Sequence, residues 1–248
     1  MYNNFFILLL ISHFIGDYYL QSAELAELKQ QKFIYILKHG IIYSLPCLIL
    51  LGLVFDTSLL LYFGAYIVSH ILIDFLKSVA LKSRGLNHKM YKAVYVTDQL
   101  LHILIIAALS SIYTSNYGDV NFFGFIASWI NKNGVNANEI LRLTLLSVII
   151  FKPVNTTFKV LFDKLKIKRD STENADSINN MGGATIGNLE RALIIVLLTL
   201  QQYTAIGLVI TGKSIARFNS NIAAEYFIIG TFYSILVTLI LFSLLWAF

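Results

Sequence analysis

Seven ionisable side chains fall inside or at the edge of apolar runs in residues 1–113: His13, Asp17, His39, His70, Asp74, Asp98 and His102. Six of them form three pairs at a spacing of four, His13-x-x-x-Asp17, His70-x-x-x-Asp74 and Asp98-x-x-x-His102. On a helix, residues four apart share a face with β-carbons about 5–6 Å apart, so each pair can direct an imidazole and a carboxylate at one point. A charge at the centre of a bilayer costs about 2.5–3.5 kcal/mol on insertion scales, so seven such groups need a compensating partner. A metal ion is one. Mixed imidazole and carboxylate ligands suit zinc best, with iron or manganese as alternatives, and the number of groups accommodates one or two ions. The competing account is interhelical hydrogen bonding, worth about 0.6 kcal/mol per contact; it explains one pair more readily than three.

The elements that must position these groups are membrane helices. The chain is 57% hydrophobic and 13% charged, with mean hydropathy +0.70, against about 25% charged residues in soluble domains. Its apolar runs are continuous rather than alternating, which selects helices over a barrel. Apolar stretches over residues 5–20, 33–55, 59–81, 93–113, 140–165, 187–211 and 223–248 predict an all-α polytopic bundle of six to seven transmembrane helices. The fifth run is interrupted at Lys152-Pro153. Three regions follow: a four-helix domain at 1–113, an extracytoplasmic loop at 114–139, and C-terminal helices at 140–248 with a polar loop at 166–186.

Ser12-His13-Phe14-Ile15-Gly16-Asp17-Tyr18 aligns with Ser69-His70-Ile71-Leu72-Ile73-Asp74-Phe75, and the return helix of each hairpin opens with a polar group, His39 or Asp98. The N-terminal half therefore reads as a duplicated helix hairpin. Basic residues Lys29, Lys32 and Lys38 follow the first run and Lys82, Arg84, Lys89 and Lys92 the third, which places those loops in the cytoplasm and the N-terminus outside. The first and third runs then point inward and the fourth outward. The motif reverses in the fourth run, so His13, His70 and His102 form one layer, and Asp17, Asp74 and Asp98, with His39, another nearer the cytoplasm. Met1-Tyr2-Asn3-Asn4 lacks the basic region of a signal peptide, so the first run is expected to stay as an anchor. The net charge of +5 reflects basic loops at a membrane rather than nucleic-acid binding, and a single cysteine, Cys47, excludes an internal disulfide.

Other polar groups are weaker candidates. Glu190 and Arg191 follow Asn188, a plausible helix N-cap. Lys213 and Arg217 share a face and suit either a phosphate or an interfacial anchor. All four are candidate substrate-binding residues. By the positive-inside rule Lys213 and Arg217 belong inside, yet a continuous span from Gly187 places them outside. Either the rule fails here or the run turns back near Gln201-Gln202; the continuous span is the commoner arrangement and is the expectation. Lys77 is expected to reach the inner surface or to pair with Asp74, and His88 to be solvated. No P-loop follows Gly182-Gly183, and no Gly-x-Ser-x-Gly elbow supports a serine hydrolase.

These residues together resemble a bacterial membrane family, the domain of unknown function 3307. The resemblance rests on His13-x-x-x-Asp17-x-x-x-Gln21, His39, His70-x-x-x-Asp74-x-x-Lys77 and Asp98-Gln99-x-x-His102. It extends to Ile186-Gly187-x-x-Glu190-Arg191, Lys213-Ser214-x-x-Arg217-Phe218 and Glu225-Tyr226-x-x-x-Gly230-Thr231. It implies a bacterial inner-membrane location but no activity. More loosely, the repeated His and Asp are similar to membrane-bound metal-dependent hydrolases, and His-x-x-x-Asp to the zinc phospholipase C and nuclease group.

The expectation is a metal-dependent hydrolase facing the cytoplasm and acting on a lipid or lipid-linked phosphoester, with Asp17 or Asp98 as catalytic carboxylate. The alternatives are a divalent-metal transporter and a non-catalytic membrane scaffold. The charge asymmetry is tested by impermeant thiol labelling of intact cells. Cysteines at Lys29 and Lys89 should stay unlabelled from outside, and labelling of both would reverse the orientation.

Overall fold

The computed structural model describes residues 3–54, 56–82, 88–134, 136–162, 173–216 and 224–246, and every regular element among them is helical. The chain divides into two compact units, Met1–Val148 and Ile149–Phe248. Five helices are long and apolar enough to cross a membrane: Phe33–Leu53, Leu59–Lys82, Lys89–Tyr117, Ala137–Leu161 and Ile228–Trp246. The shorter apolar segment Asn4–Leu20 brings the described count to the lower expected number only if it too spans.

In the first unit, α1 (Asn4–Phe14) runs into a π-helical segment, Ile15–Leu20, and a short helix α2 (Ala23–Leu28). Then come α3 (Phe33–Leu53), α4 (Leu59–Lys82), α5 (His88–Tyr117), α6 (Gly124–Lys132) and most of α7 (Ala137–Ile150). Helix α1 packs on α3 and α5, and α4 closes the ring by packing on the same two. Phe5 and every residue from Ile7 to Phe14 are buried, as expected of a helix that is apolar all round. Its start is held twice. Asn3 caps it through Phe6 N–H, and the Asp119 carboxylate accepts from the backbone N–H groups of Asn4 and Phe5 at 2.8 and 3.2 Å. A negative group there satisfies free donors and the helix dipole together.

Two boundaries differ from expectation. Helix α5 starts at His88 and continues to Tyr117, so Lys89 and Lys92 lie on the helix rather than in a loop. The apolar patch in the supposed loop 114–139 is α6, whose Trp129 is exposed.

The second unit holds α8 (Lys152–Leu161), α9 (Glu173–Thr199), α10 (Tyr203–Ala216) and α11 (Ala224–Trp246). The break between α7 and α8 falls at Phe151, where Pro153 removes a helical donor. The expected polar loop at 166–186 is helical from Glu173 onward; residues 163–172 lie outside the described residues.

The continuous span expected over 187–211 is overturned. Helix α9 ends at Thr199, Gln201 takes a left-handed backbone conformation (φ 58°), and Gln202 N–H donates to Leu197 O at 2.8 Å. This is a C-terminal stop of the left-handed type. Helix α10 then folds back, with Ile206 packed on Ile194 and Leu198, and brings Lys213 onto Glu190. The two helices form a hairpin because the stop breaks the ladder and both apolar faces meet in one core. The turn therefore returns Lys213 to the Glu190 level of α9.

A continuous helix would separate Glu190 and Lys213, 23 positions apart, by about 34 Å at 1.5 Å per residue. Glu190→Cys/Lys213→Cys should therefore form a disulfide on mild oxidation in membranes. Failure to cross-link, while a Cys pair at Ile194 and Ile206 also fails, would restore the continuous span.

Candidate metal centre

The polar cluster lies where the π-helical segment, α3, α4 and the first half of α5 meet. His13, His39, His70, Asp74, Asp98 and His102 are all at most 3% exposed, and the Asp17 side chain is 9% exposed. Three ligand-type atoms form a tight triangle. His39 Nε2 lies 3.0 Å from Asp17 Oδ1 and 3.1 Å from His70 Nε2, and His70 Nε2 lies 3.3 Å from Asp17 Oδ1. Ligand atoms about 2.0–2.1 Å from a tetrahedral ion are about 3.3–3.4 Å apart, so this triangle has the size of one face of such a site. Asp74 Oδ2 is 3.6 Å from His39 Nε2 and 3.5 Å from His70 Nε2. The triads His13/Asp17/His70, His39/His70/Asp74 and Asp74/Asp98/His102 each bring one atom per residue within 4.8 Å.

Local structure makes this convergence possible. The π segment places Asp17 in the cluster and buries Tyr18 while Tyr19 and Leu20 face out. Such segments are rare and concentrate at functional positions. Gly16 lies against the Tyr43 ring, where a β-carbon would stand 2.4 Å from Cδ2. That close approach lets Tyr43 stack flat on His70, with ring centroids 3.5 Å apart and planes 8° apart. The second copy of the repeat is plain helix through Asp74, so the duplication is not exact.

The imidazoles of His13, His70 and His102 lie together, with ring centroids 5.0 Å apart for His13 and His102, 4.5 Å for His70 and His102, and 6.1 Å for His13 and His70. His13 is engaged on both sides. Tyr66 donates to the Leu9 carbonyl and Tyr43 donates to Tyr66, so His13 Nδ1–H donates to Tyr43 Oη at 3.1 Å. Its Nε2 faces the Gln99 side-chain carbonyl at 3.4 Å. Both ring nitrogens thus meet oxygen acceptors. Gln99 also accepts from Tyr18 at 3.0 Å and donates to Asp98 at 3.0 Å.

Two lysines also enter the cluster. Lys29, just after α2, is 7% exposed and its Nζ lies 2.8 Å from Asp74 Oδ2 and 2.9 Å from Gln21 Oε1. By sequence it is one of the basic residues of the loop after the first run. Lys77 pairs with Asp98 at 2.6 Å, not with Asp74 or the membrane surface. Its position three after Asp74 places it on the cluster face of α4, a signal that sequence does carry; nothing comparable marks Lys29. Because Lys29 is buried, the orientation test is better placed at exposed Lys32. The His88 side chain lies outside the described residues.

The remaining candidates belong to the second unit. Glu190 pairs with Lys213. Arg191, 3% exposed, donates to Ser234 at 2.9 Å, Asn155 at 2.6 Å and Asn188 at 2.7 Å. Asn188 is therefore a mid-helix partner of Arg191 and not the expected N-cap. Arg217 lies outside the described residues.

The Lys29–Asp74 pair can be tested by a double-mutant cycle. Breaking a buried pair from one side costs about 3–5 kcal/mol, whereas replacing both partners with apolar groups is often neutral. Lys29→Met should destabilise the protein by that order in reversible unfolding, and Lys29→Met/Asp74→Leu should recover most of it. An unchanged stability in Lys29→Met would mean that the ammonium is solvated.

No curated protein and no solved structure matches the chain. Residues 5–127 match the model of the family described as Protein of unknown function (DUF3307), a span that contains all seven His and Asp groups and ends before the motifs of the second unit, so the N-terminal half of this chain belongs to that family.

Proposed function

We propose that the first unit is a membrane-embedded metal-dependent hydrolase with its site towards the cytoplasm of a bacterial inner membrane, acting on a lipid or lipid-linked phosphoester. The triangle of His39 Nε2, His70 Nε2 and Asp17 Oδ1 supports this most directly. Two imidazoles and a carboxylate match the protein donor set of catalytic zinc; iron or manganese suit the same donors. A bound ion would supply charge for a phosphoryl oxygen and acidify a water.

The chain's own groups divide the remaining work. His39, His70 and Asp17 would hold the ion. Lys29 keeps Asp74 Oδ2 engaged at 2.8 Å, which would hold that carboxylate out of the ligand set. Asp98 Oδ2 is taken by Lys77 and Gln99, while its Oδ1 is buried without a partner. That oxygen would accept the proton of an attacking water. Around the site, Phe33 and Ile34 of α3 and Leu72, Phe75 and Leu76 of α4 are exposed and apolar, a surface suited to a substrate that arrives with a lipid tail. The far half of the unit is filled by Phe5, Tyr62, Phe63 and Tyr113, with ring centroids of Phe5 4.6 Å from Tyr113 and 5.8 Å from Phe63. That packing favours an enzyme over a transporter, since an ion crossing there would meet a large desolvation cost.

Purified protein should carry a transition metal by elemental analysis. His70→Ala and Asp17→Asn should lose it, and His88→Ala should not. In detergent the loaded protein should cleave a phosphoester, and Asp98→Asn should abolish cleavage with metal content retained. In sealed liposomes it should move no zinc, iron or manganese. Saturable uptake that disappears in His70→Ala would overturn the enzyme reading, and full metal content in both ligand variants would overturn the site.

A further inference from the structure

A cavity of about 10 Å³ lies beside the cluster, lined by Tyr43, Tyr66, Ser69, His70, His102 and three isoleucines. One water needs about that much room, together with two to four polar partners. Two buried nitrogens among the lining residues have no hydrogen-bond partner, His70 Nδ1 and His102 Nε2. The other nitrogen of each ring is accounted for. His70 Nε2 faces Asp17 and His39, and His102 Nδ1 lies 2.8 Å from the Asp98 backbone carbonyl. Their ring centroids are 4.5 Å apart.

Direction follows from the carbonyl. A backbone oxygen only accepts, so His102 Nδ1–H is the donor and, in the neutral ring, Nε2 carries a lone pair. We propose that a water bound in this cavity donates to His102 Nε2 and accepts from His70 Nδ1–H, so that His102 is a positioning residue for His70 rather than a metal ligand. The proton held on His70 Nδ1 leaves Nε2 as the lone pair directed at Asp17 and His39. That is the tautomer a metal-binding imidazole needs, and its outer N–H usually meets a partner of this kind. The Tyr43 ring, stacked on His70, fixes the plane; the water fixes the proton. The inference deepens the proposed function for metal affinity, but its tautomer claim holds whether or not an ion binds.

The test uses the full chain in lipid nanodiscs. Nitrogen-15 NMR of the histidine rings in metal-free protein should show His70 protonated on Nδ1 and His102 on Nδ1. His102→Leu removes the acceptor and should shift His70 towards the Nε2–H form. His102→Gln restores an acceptor and should return it. With cobalt(II) as the probe ion, His102→Leu should weaken binding by about 10–100-fold, with stoichiometry and the visible spectrum of the bound ion unchanged, and His102→Gln should recover part of it. His70 protonated on Nε2 in the wild-type protein would overturn the proposal. So would a changed cobalt spectrum in His102→Leu that glutamine does not restore, because that result makes His102 a ligand. Absence of cobalt binding by the wild type would overturn the metal reading alone and leave the tautomer result to decide this one.

Discussion

A carboxylate with no ammonium of its own organises the first unit. The cluster holds three buried aspartates and two lysines. Lys29 lies on Asp74 and Lys77 on Asp98. Asp17 meets imidazoles instead, those of His39 and His70 at 3.0 and 3.3 Å and that of His13 at 3.9 Å. A buried charge persists only when it is paired and hydrogen-bonded, so positive charge has to appear at this corner, either as protons on imidazole or as a bound cation. The two facing Nε2 atoms, 3.1 Å apart, suit the proposed cation, because a metal would satisfy both lone pairs and the carboxylate together whereas one proton satisfies a single pair.

Much of the surrounding architecture serves that corner. Helix α1 is buried on every side, which carries His13 deep into the bundle, and the π segment that follows keeps Asp17 and Tyr18 directed inward. Gly16 lets Tyr43 approach, and Tyr43 supports His70 by stacking while its hydroxyl links His13 to Tyr66. The second unit meets its own buried charge differently. Arg191 is surrounded by the neutral oxygens of Asn155, Asn188 and Ser234, on α8, α9 and α11. Those bonds fasten three helices together through a single guanidinium, whose fixed fork suits several acceptors at once.

The sequence is most informative where one physical rule decides the outcome. Apolar length determines the helices, and the four-residue spacing determines which groups share a face, so His13, Asp17, His70, Asp74, Asp98 and His102 were all legible. What stayed hidden depends on tertiary contact. A π segment has no composition that separates it from an α-helix, so Ile15–Leu20 reads as the end of an ordinary run. Lys29 reads as a loop charge because nothing local shows that the chain after α2 folds back onto α4. The tyrosine chain through Tyr43 and Tyr66 reads as aromatic core. The stop at Gln201 was available as an alternative from the two glutamines and the misplaced basic residues. The commoner arrangement, a continuous span, is the expectation only because re-entrant pairs are rarer, and nothing local marks Gln201 for its positive φ.

Charge also bears on how many ions the proposed site would hold. The number of His and Asp groups alone allows two, and Asp74, Asp98 and His102 do lie within reach of one another. But an ammonium already stands on each of those carboxylates, 2.8 Å from Asp74 and 2.6 Å from Asp98. A second divalent ion would have to share an oxygen with a lysine or displace it, and a displaced Lys29, 7% exposed, would leave a buried cation unpaired. At Asp17 none of these conflicts arises. The arrangement therefore favours a single ion at His39, His70 and Asp17, with the two lysines acting as tethered cations at the positions a second ion would otherwise take.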